Sequence, residues 1–280
     1  MNNYIRKIIY LGPNGTNSEF AATKFTEKLG IDAVLEPIST ITKVISQLDE
    51  KEPETTIAIL PIENSIEGIV RETIDNLVKT KSDIFIQAEF SIPISHCLIS
   101  KGKDKKEIKT IVSISQAVMQ CKEYIADNFK KDVEVVLYTS TSAAAKFVSE
   151  KDDTYAAIAS KRCSLLYNLN VIEENINDIK DNQTNFIVLS KKKLFKSKET
   201  RTLIAFTTEN KPGALLEVLT VFKKNNLNMV YLESRPSKKV FGEYIFYAEV
   251  DKGIDDINEA LFEIKEKSSY LKILGSYCIL

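Results

Sequence analysis

The sequence predicts an α/β protein in two parts, a larger domain with parallel sheets followed by a smaller unit with the order βαββαβ. Three observations lead to this prediction. Short apolar runs alternate with helical patterns over the first 190 residues. The 280 residues are about twice the length of one ordinary domain. Near residue 190 the chain turns polar and basic, which is typical of a linker.

In the first part, each apolar run is interpreted as a buried strand that leads through a polar loop into a helix. The expected strands cover residues 7–11, 56–60, 109–113, 133–138 and 155–159. The expected helices cover about 19–29, 69–79, 117–129, 139–150 and 160–167. Because strands alternate with helices, we expect parallel sheets covered on both faces.

The second part follows a polar segment with five lysines, SKKKLFKSKETR, which we interpret as a solvated linker over 191–201. Strands are expected at 202–207, 228–234, 243–250 and 270–277, with helices at about 212–224 and 255–267. This order predicts a ferredoxin-like domain over 202–280, after a first domain over 1–190.

The composition excludes several classes of protein. The 44% of hydrophobic residues suffice for a folded core, and a net charge of -1 argues against a nucleic-acid binder. We find no apolar run long enough for a transmembrane helix and no signal peptide, so we expect a cytoplasmic protein. The four cysteines lack CxxC spacing and His96 is the one histidine, so we expect neither a metal nor a cofactor.

Four strand-to-helix junctions of the first part carry hydroxyl and amide side chains. They are Thr16 with Ser18, then Glu63, Asn64 and Ser65, then Ser113, Ser115 and Gln116, and last Ser140, Thr141 and Ser142. Such loops meet at the carboxyl edge of a parallel sheet, where helix N-termini attract anions. One loop alone is usually only a helix cap, but four indicate a shared cleft for a small, anionic, oxygen-rich ligand.

Several segments resemble those of the prephenate dehydratase family, over nearly the whole chain. They are LGPNGTNSEFAA, LPIENSIEGIVRETIDNL, SIPISHCLIS, ISQAVMQC, TSTSAAA and NQTNF, the last at the family's Asn-x-Thr-Arg-Phe. The second part resembles an ACT domain, a regulatory module that binds amino acids. Its segments PGALLEVL and LESRP correspond to those that contact phenylalanine in this family.

The resemblance implies a fold of two lobes hinged about a cleft, similar to type 2 periplasmic binding proteins. One lobe would hold about 1–85 with 170–190, and the other about 90–170. It also implies prephenate as substrate, L-phenylalanine as effector, and a homodimer or homotetramer. Prephenate is a small dianion, which agrees with the four loops.

The resemblance further implies the site residues. Thr184 would be the catalytic group, a hydrogen-bond donor to the hydroxyl that leaves with CO₂. The implied substrate-binding residues are Thr16, Asn64, Ser65, Gln116, Ser140, Thr141, Ser142, Asn182, Asn185 and Phe186. The implied effector residues, expected to face one pocket across a dimer interface, are Gly213, Ala214, Leu215, Glu233, Ser234, Arg235 and Pro236. For Glu63 and His96 we expect structural roles.

The sequence also departs from the family pattern. Asn185 replaces the arginine of Thr-Arg-Phe, Asn17 stands where an aromatic residue is common, and Ile114 and Ser115 replace His-Pro. Three explanations follow. In the first, the protein is a dehydratase in which another residue, such as Arg71, takes over the role of the missing arginine. In the second, it is a prephenate decarboxylase that does not aromatise its substrate. In the third, it is a regulator that binds a ligand and catalyses no reaction. Thr184 argues against the regulator, and the phenylalanine segments favour the dehydratase.

Overall fold

The computed structural model describes residues 4–50, 55–80, 83–129, 133–195, 197–237 and 243–280. Their strands are β1 (Lys7–Leu11), β2 (Val34–Ile38), β3 (Thr56–Asn64), β4 (Gly68–Ile69), β5 (Phe85–Pro93), β6 (Cys97–Ser100), β7 (Thr110–Ser113), β8 (Glu134–Leu137), β9 (Tyr155–Ala159), β10 (Asn170–Glu173), β11 (Gln183–Ser190), β12 (Arg201–Thr207), β13 (Met229–Pro236), β14 (Tyr244–Val250) and β15 (Tyr270–Ile279). The helices are α1 (Asn17–Leu29), α2 (Ile41–Glu50), α3 (Arg71–Lys79), α4 (Ser115–Met119), α5 (Lys122–Asn128), α6 (Thr141–Ser149), α7 (Lys161–Tyr167), α8 (Ala214–Lys224) and α9 (Asn258–Lys267). None of the helices in these described ranges is long and apolar enough to cross a membrane.

Two lobes share one strand arrangement. The order is β2-β1-β3-β11-β5 in lobe 1 and β8-β7-β9-β6-β10 in lobe 2. In lobe 1, β1 pairs in parallel with β2 and β3, and in lobe 2, β7 pairs in parallel with β8 and β9. In each lobe two further strands, each antiparallel to the strand before it in this order, complete the sheet. The expected two-lobed α/β fold is therefore confirmed.

The lobe boundaries differ from those expected. β5 belongs to lobe 1, because it pairs with β11 along its length, from Gln183 opposite Pro93 to Ser190 opposite Phe85. β10 belongs to lobe 2, because it pairs with β6. The chain thus crosses between lobes at about 94–96 and again at about 174–182. The positions of both crossings follow from the pairing of strands that are distant in the sequence, β5 with β11 and β6 with β10.

In place of the one helix expected over about 117–129, the structure has two helices, α4, which already begins at Ser115, and α5. The carboxylate of Asp178, on the second crossing, accepts hydrogen bonds from the amides of Glu123 (3.0 Å) and Tyr124 (3.1 Å). These contacts cap the start of α5 from a distant part of the chain. The break places Gln120 at the end of α4, where it lines the cleft.

The C-terminal domain has the expected βαββαβ order, with strands in the order β13-β14-β12-β15. Its helices α8 and α9 cover one face, with Phe206, Val218 and Ile264 in the core between. Its other face packs on lobe 1 in a continuous core that includes Ile74 and Tyr247. In addition, β15 pairs in parallel with β5, so the two domains share one ten-stranded sheet.

Candidate active site

A cavity of about 300 Å³ lies between the two lobes. We call it the cleft cavity. Polar groups from lobe 1 that line it are Thr16, Asn17, Ser18, Asn64 and Thr184, and those from lobe 2 are His96, Gln116, Gln120, Ser140 and Thr141. Apolar walls come from Leu11, Ile41, Val70, Ile94, Ile114 and Phe186, among others. The four loops singled out in the sequence therefore contribute to one site.

Two helix N-termini, one from each lobe, meet at the cleft cavity. Thr16 caps α1 by accepting from the amide of Glu19 (3.4 Å), and Ser140 caps α6 by accepting from the amide of Ala143 (3.0 Å). The first amides of such helices have no partner within the helix, and the helix dipole adds positive potential there. Opposed helix ends of this kind suit a ligand with two negative groups.

Thr184 lies opposite Asn64 on the paired strands β11 and β3. The Asn64 side-chain amide donates to the Thr184 hydroxyl oxygen over 2.9 Å. The Asn64 oxygen accepts from the backbone amides of Ile66 (3.0 Å) and Glu67 (3.1 Å), which holds the amide in this orientation. Because an amide nitrogen only donates, Thr184 accepts this bond and keeps its own proton for a ligand.

A chain of buried amides extends this pair into lobe 2. Asn64 also donates to the Asn182 oxygen (2.8 Å), and Asn182 donates to the Gln120 oxygen (3.0 Å). His96 Nε2 lies 3.0 Å from the same Gln120 oxygen, to which it donates. Burial lowers the pKa of His96, so its ring is neutral at pH 7. Gln120 thus connects the two lobes. It is not among the site residues expected from the sequence, because the sequence pattern places it inside one continuous helix rather than at a helix end.

Asn185 does not line the cleft cavity, contrary to its expected substrate role. Its side chain donates to Glu63 (3.3 Å) and accepts from Ser91 (2.6 Å). Side chains alternate between the two faces of a strand. Since Thr184 and Phe186 face the cavity, Asn185 faces the other side of the sheet, where Ile187 of the same strand packs in one core with Tyr247 of the C-terminal domain.

Arg71 does not replace an arginine in the cavity either. Its side chain is 70% exposed, and its guanidinium pairs with Glu233 of the C-terminal domain over 3.6 Å. No lysine or arginine is among the residues described as lining the cleft cavity.

Three other expected substrate residues hold the site together from outside the cavity. Asn182 is buried within the amide chain. Ser65 donates to Asn182 (3.4 Å) and accepts from the amide of Gln183 (3.0 Å). These bonds fix the start of β11. Ser142 is fully buried, donates to the carbonyl of Asn14, and lies 3.0 Å from the hydroxyl of Tyr167. Ser142 therefore joins lobe 2 to the loop after β1.

The expected effector residues do not share one face. Along β13, Glu233 and Arg235 point toward α3 of lobe 1, whereas Ser234 and Pro236 are exposed on the other face. Gly213 begins α8 with a left-handed backbone (φ 86°) and is followed by the buried Ala214 and the partly buried Leu215. The strand period separates residues that are neighbours in the sequence.

The fold and the cleft define a class: two-lobed α/β proteins with a polar cavity between the lobes and a C-terminal βαββαβ domain. Family models agree with this class, since the prephenate dehydratase model matches residues 8–194 and the ACT domain model matches residues 202–266. The chain belongs to the prephenate dehydratase family.

Individual relatives extend the comparison. A prephenate dehydratase of Methanocaldococcus jannaschii is 40% identical over 276 residues, covering 97% of this chain and 98% of the relative. The structure of prephenate dehydratase from Arthrobacter aurescens in complex with L-Phe superposes with a TM-score of 0.85 at 28% identity, covering 97% and 90%. A protein described as a quorum quenching acylase, GqqA, has a TM-score of 0.82 at 25% identity, covering 97% of each chain. Since one fold accompanies both descriptions, activity has to be argued from the site.

Proposed function

We propose that this protein is a cytoplasmic prephenate dehydratase that converts prephenate to phenylpyruvate in L-phenylalanine biosynthesis, under feedback by phenylalanine. The observation that carries the proposal is the Thr184 hydroxyl, which accepts from Asn64 and keeps its proton free beside a cavity flanked by two helix N-termini. A volume of about 300 Å³ suits a monocyclic dicarboxylate.

Binding relies on dipoles. The amides at the starts of α1 and α6, with the hydroxyls of Ser140 and Thr141, would receive the two carboxylates. The apolar side chains of Ile114 and Phe186 would flank the ring. Because the ring carboxylate loses its charge as it becomes CO₂, neutral donors hold it without opposing that loss.

The chemistry then needs one donor. The bond between the ring and its carboxylate breaks, its electron pair enters the ring, and the bond to the ring hydroxyl breaks. Thr184 donates a hydrogen bond to that oxygen as negative charge develops, and the oxygen leaves as hydroxide with the electron pair of the broken bond. Thr184 is a weak acid, so it stabilises the charge rather than protonating the oxygen beforehand.

The alternative of a decarboxylase without aromatisation has lost its main support. That alternative rested on Asn185 in place of an arginine, and Asn185 faces away from the cavity. Dehydration expels the ring hydroxyl and needs a hydrogen-bond donor to it, whereas decarboxylation without aromatisation keeps that hydroxyl and needs none. The presence of Thr184 therefore favours dehydration.

We also propose that two or four copies assemble through the C-terminal domain. In the part of the chain that the structure describes, β13 is one of the two edge strands of the ten-stranded sheet, and Val230 and Leu232 are exposed on it. An unpaired strand edge with apolar side chains favours pairing with another strand. The segments at Gly213 and at 233–236 would then bind phenylalanine at the joined edges.

Product analysis tests the function. The protein is incubated with prephenate and the product is identified by NMR, with Thr184→Val and Thr184→Ser as matched variants. We expect aromatic phenylpyruvate, a kcat about 10²-fold lower in Thr184→Val, and most activity retained in Thr184→Ser. A dihydro product, or unchanged substrate, would overturn the proposal.

A further inference from the structure

Helix α3 of lobe 1 lies against the C-terminal domain along its length. At its start, Arg71 lies 3.6 Å from Glu233. In its middle, the Asp75 carboxylate accepts from Arg235 over 2.5 Å and from the Tyr247 hydroxyl over 3.4 Å. The C-terminal domain therefore contacts α3 through two residues of its LESRP segment.

The end of α3 is held as well. The Lys272 ammonium, on β15, donates to the carbonyls of Leu77 (2.8 Å), Val78 (3.1 Å) and Thr80 (2.5 Å). Carbonyls at a helix C-terminus have no partner within the helix and attract a cation. This contact fixes the end of α3 to the sheet of the C-terminal domain.

The start of α3 is joined to the active site. Val70, directly before the helix, lines the cleft cavity, and its amide donates to the carbonyl of Ile62 on β3 (2.7 Å). Within the helix, the Thr73 hydroxyl donates to the carbonyl of Pro61 (2.7 Å). Asn64, the partner of Thr184, ends the same strand. A displacement of α3 would therefore displace Asn64.

The two ion pairs between α3 and β13 differ in burial. Arg71 is 70% exposed, so its pair with Glu233 is screened by water. Arg235 and Asp75 are only 19% and 23% exposed, and at 2.5 Å they make a direct charge-assisted hydrogen bond. The Asp75 pair is the stronger mechanical connection.

β13 also has two faces with different roles. Arg235 points to α3, whereas its neighbours Ser234 and Pro236 are exposed on the opposite face. A ligand or a second copy bound on that exposed face would move the strand backbone, and Arg235 would move with it.

We propose that Asp75 is a positioning residue that couples the phenylalanine segment to the catalytic pair Asn64–Thr184, through Arg235 and α3. The inference rests on the proposed function and names the route of its regulation. Phenylalanine at β13 shifts Arg235, Asp75 carries the shift into α3, and the Asn64 amide leaves its productive position.

Three variants test the route. Asp75→Asn removes the charge at constant size, and Asp75→Glu restores it. Glu72→Gln is the matched control, because Glu72 lies on the same helix but its carboxylate contacts another helix of lobe 1. That carboxylate accepts from the backbone amide of Thr42 (3.3 Å) and from the Thr42 hydroxyl (3.0 Å), on α2. Each variant is assayed for dehydratase activity with and without saturating phenylalanine, and its phenylalanine Kd is measured by calorimetry.

For Asp75→Asn we expect basal activity and phenylalanine Kd within about threefold of the unchanged protein, but inhibition reduced by at least about fivefold, the low end of ordinary allosteric coupling. Inhibition should return in Asp75→Glu and stay intact in Glu72→Gln. Full inhibition of Asp75→Asn would overturn this route while leaving the dehydratase assignment intact. Failure of the unchanged protein to bind phenylalanine would overturn both the effector and this route, and failure to convert prephenate would overturn the proposed function.

Discussion

Asn64 and Thr184 are 120 residues apart in the sequence, yet they lie opposite each other on antiparallel strands, with the Asn64 amide donating to the Thr184 hydroxyl over 2.9 Å. The direction of this bond matters more than its strength. It makes Thr184 an acceptor toward the protein and so a donor toward the cavity.

Reversing that direction should remove most of the activity. Asn64→Asp keeps the shape and the oxygen that accepts from Ile66 and Glu67, but its second oxygen accepts where the amide donated. The Thr184 proton would then turn to the new carboxylate rather than to the substrate. We expect kcat to fall about 10²-fold with a smaller change in KM, measured by steady-state kinetics. A kcat within about threefold of the unchanged protein would contradict the role of this bond.

Restoring the family arginine should leave substrate binding unchanged. The Asn185 side chain contacts Glu63 and Ser91 on the face away from the cavity. For Asn185→Arg we therefore expect a KM for prephenate within about twofold of that of the unchanged protein. Tighter prephenate binding in the variant would place this residue in the site after all.

The partly buried carboxyl of Glu89 predicts a pH dependence of stability. Burial, with the nearby Glu249 and Glu63, raises the pKa of Glu89 from 4.5 to about 7. The folded state therefore binds more protons than the unfolded state between these values, and this residue lowers stability as pH rises through that window. In Glu89→Gln we expect Tm at pH 8 to exceed that of the unchanged protein by on the order of a few degrees.

Thermal unfolding at pH 5 and pH 8 measures this difference. Glu259→Gln is the control, because it removes the same charge from the exposed surface of α9. Equal pH dependence in Glu89→Gln and the unchanged protein would contradict the prediction.

A side chain at Gly213 should block phenylalanine. Gly213 has a left-handed backbone, and a Cβ built there meets no atom within 4 Å, so the space beside it is open to a ligand. For Gly213→Val we expect phenylalanine Kd to rise at least about tenfold, since the side chain would occupy that space. Calorimetry measures it, and Gly68→Val, also at an open glycine with positive φ, controls for backbone strain. Identical heats in Gly213→Val and the unchanged protein would rule out this site.

The sequence alone was sufficient for features that depend on local signals. The βαββαβ order follows from hydrophobic period and turn residues within short windows, and the structure has that order. The loops at Thr16 and Asn64 meet, and so do those at Gln116 and Ser140, because the carboxyl ends of parallel strands in one sheet share an edge. That the two sheets then face each other across one cavity was decided by the tertiary structure. Capping by Thr16 and Ser140 is likewise local, since each accepts from an amide three residues ahead.

Only the tertiary structure decided to which face of the sheet each side chain of β11 and β13 points, and which residues of other segments it contacts. Asn185 and Arg235 both belong to motif segments of the sequence, NQTNF and LESRP, yet one faces Glu63 and the other faces Asp75. Gln120 entered the site because Asp178, from a distant segment, caps a separate helix that begins just after it. The physical reason is the same in each case: strand register and the packing of distant segments set these contacts, and neither leaves a signal in a local window of sequence.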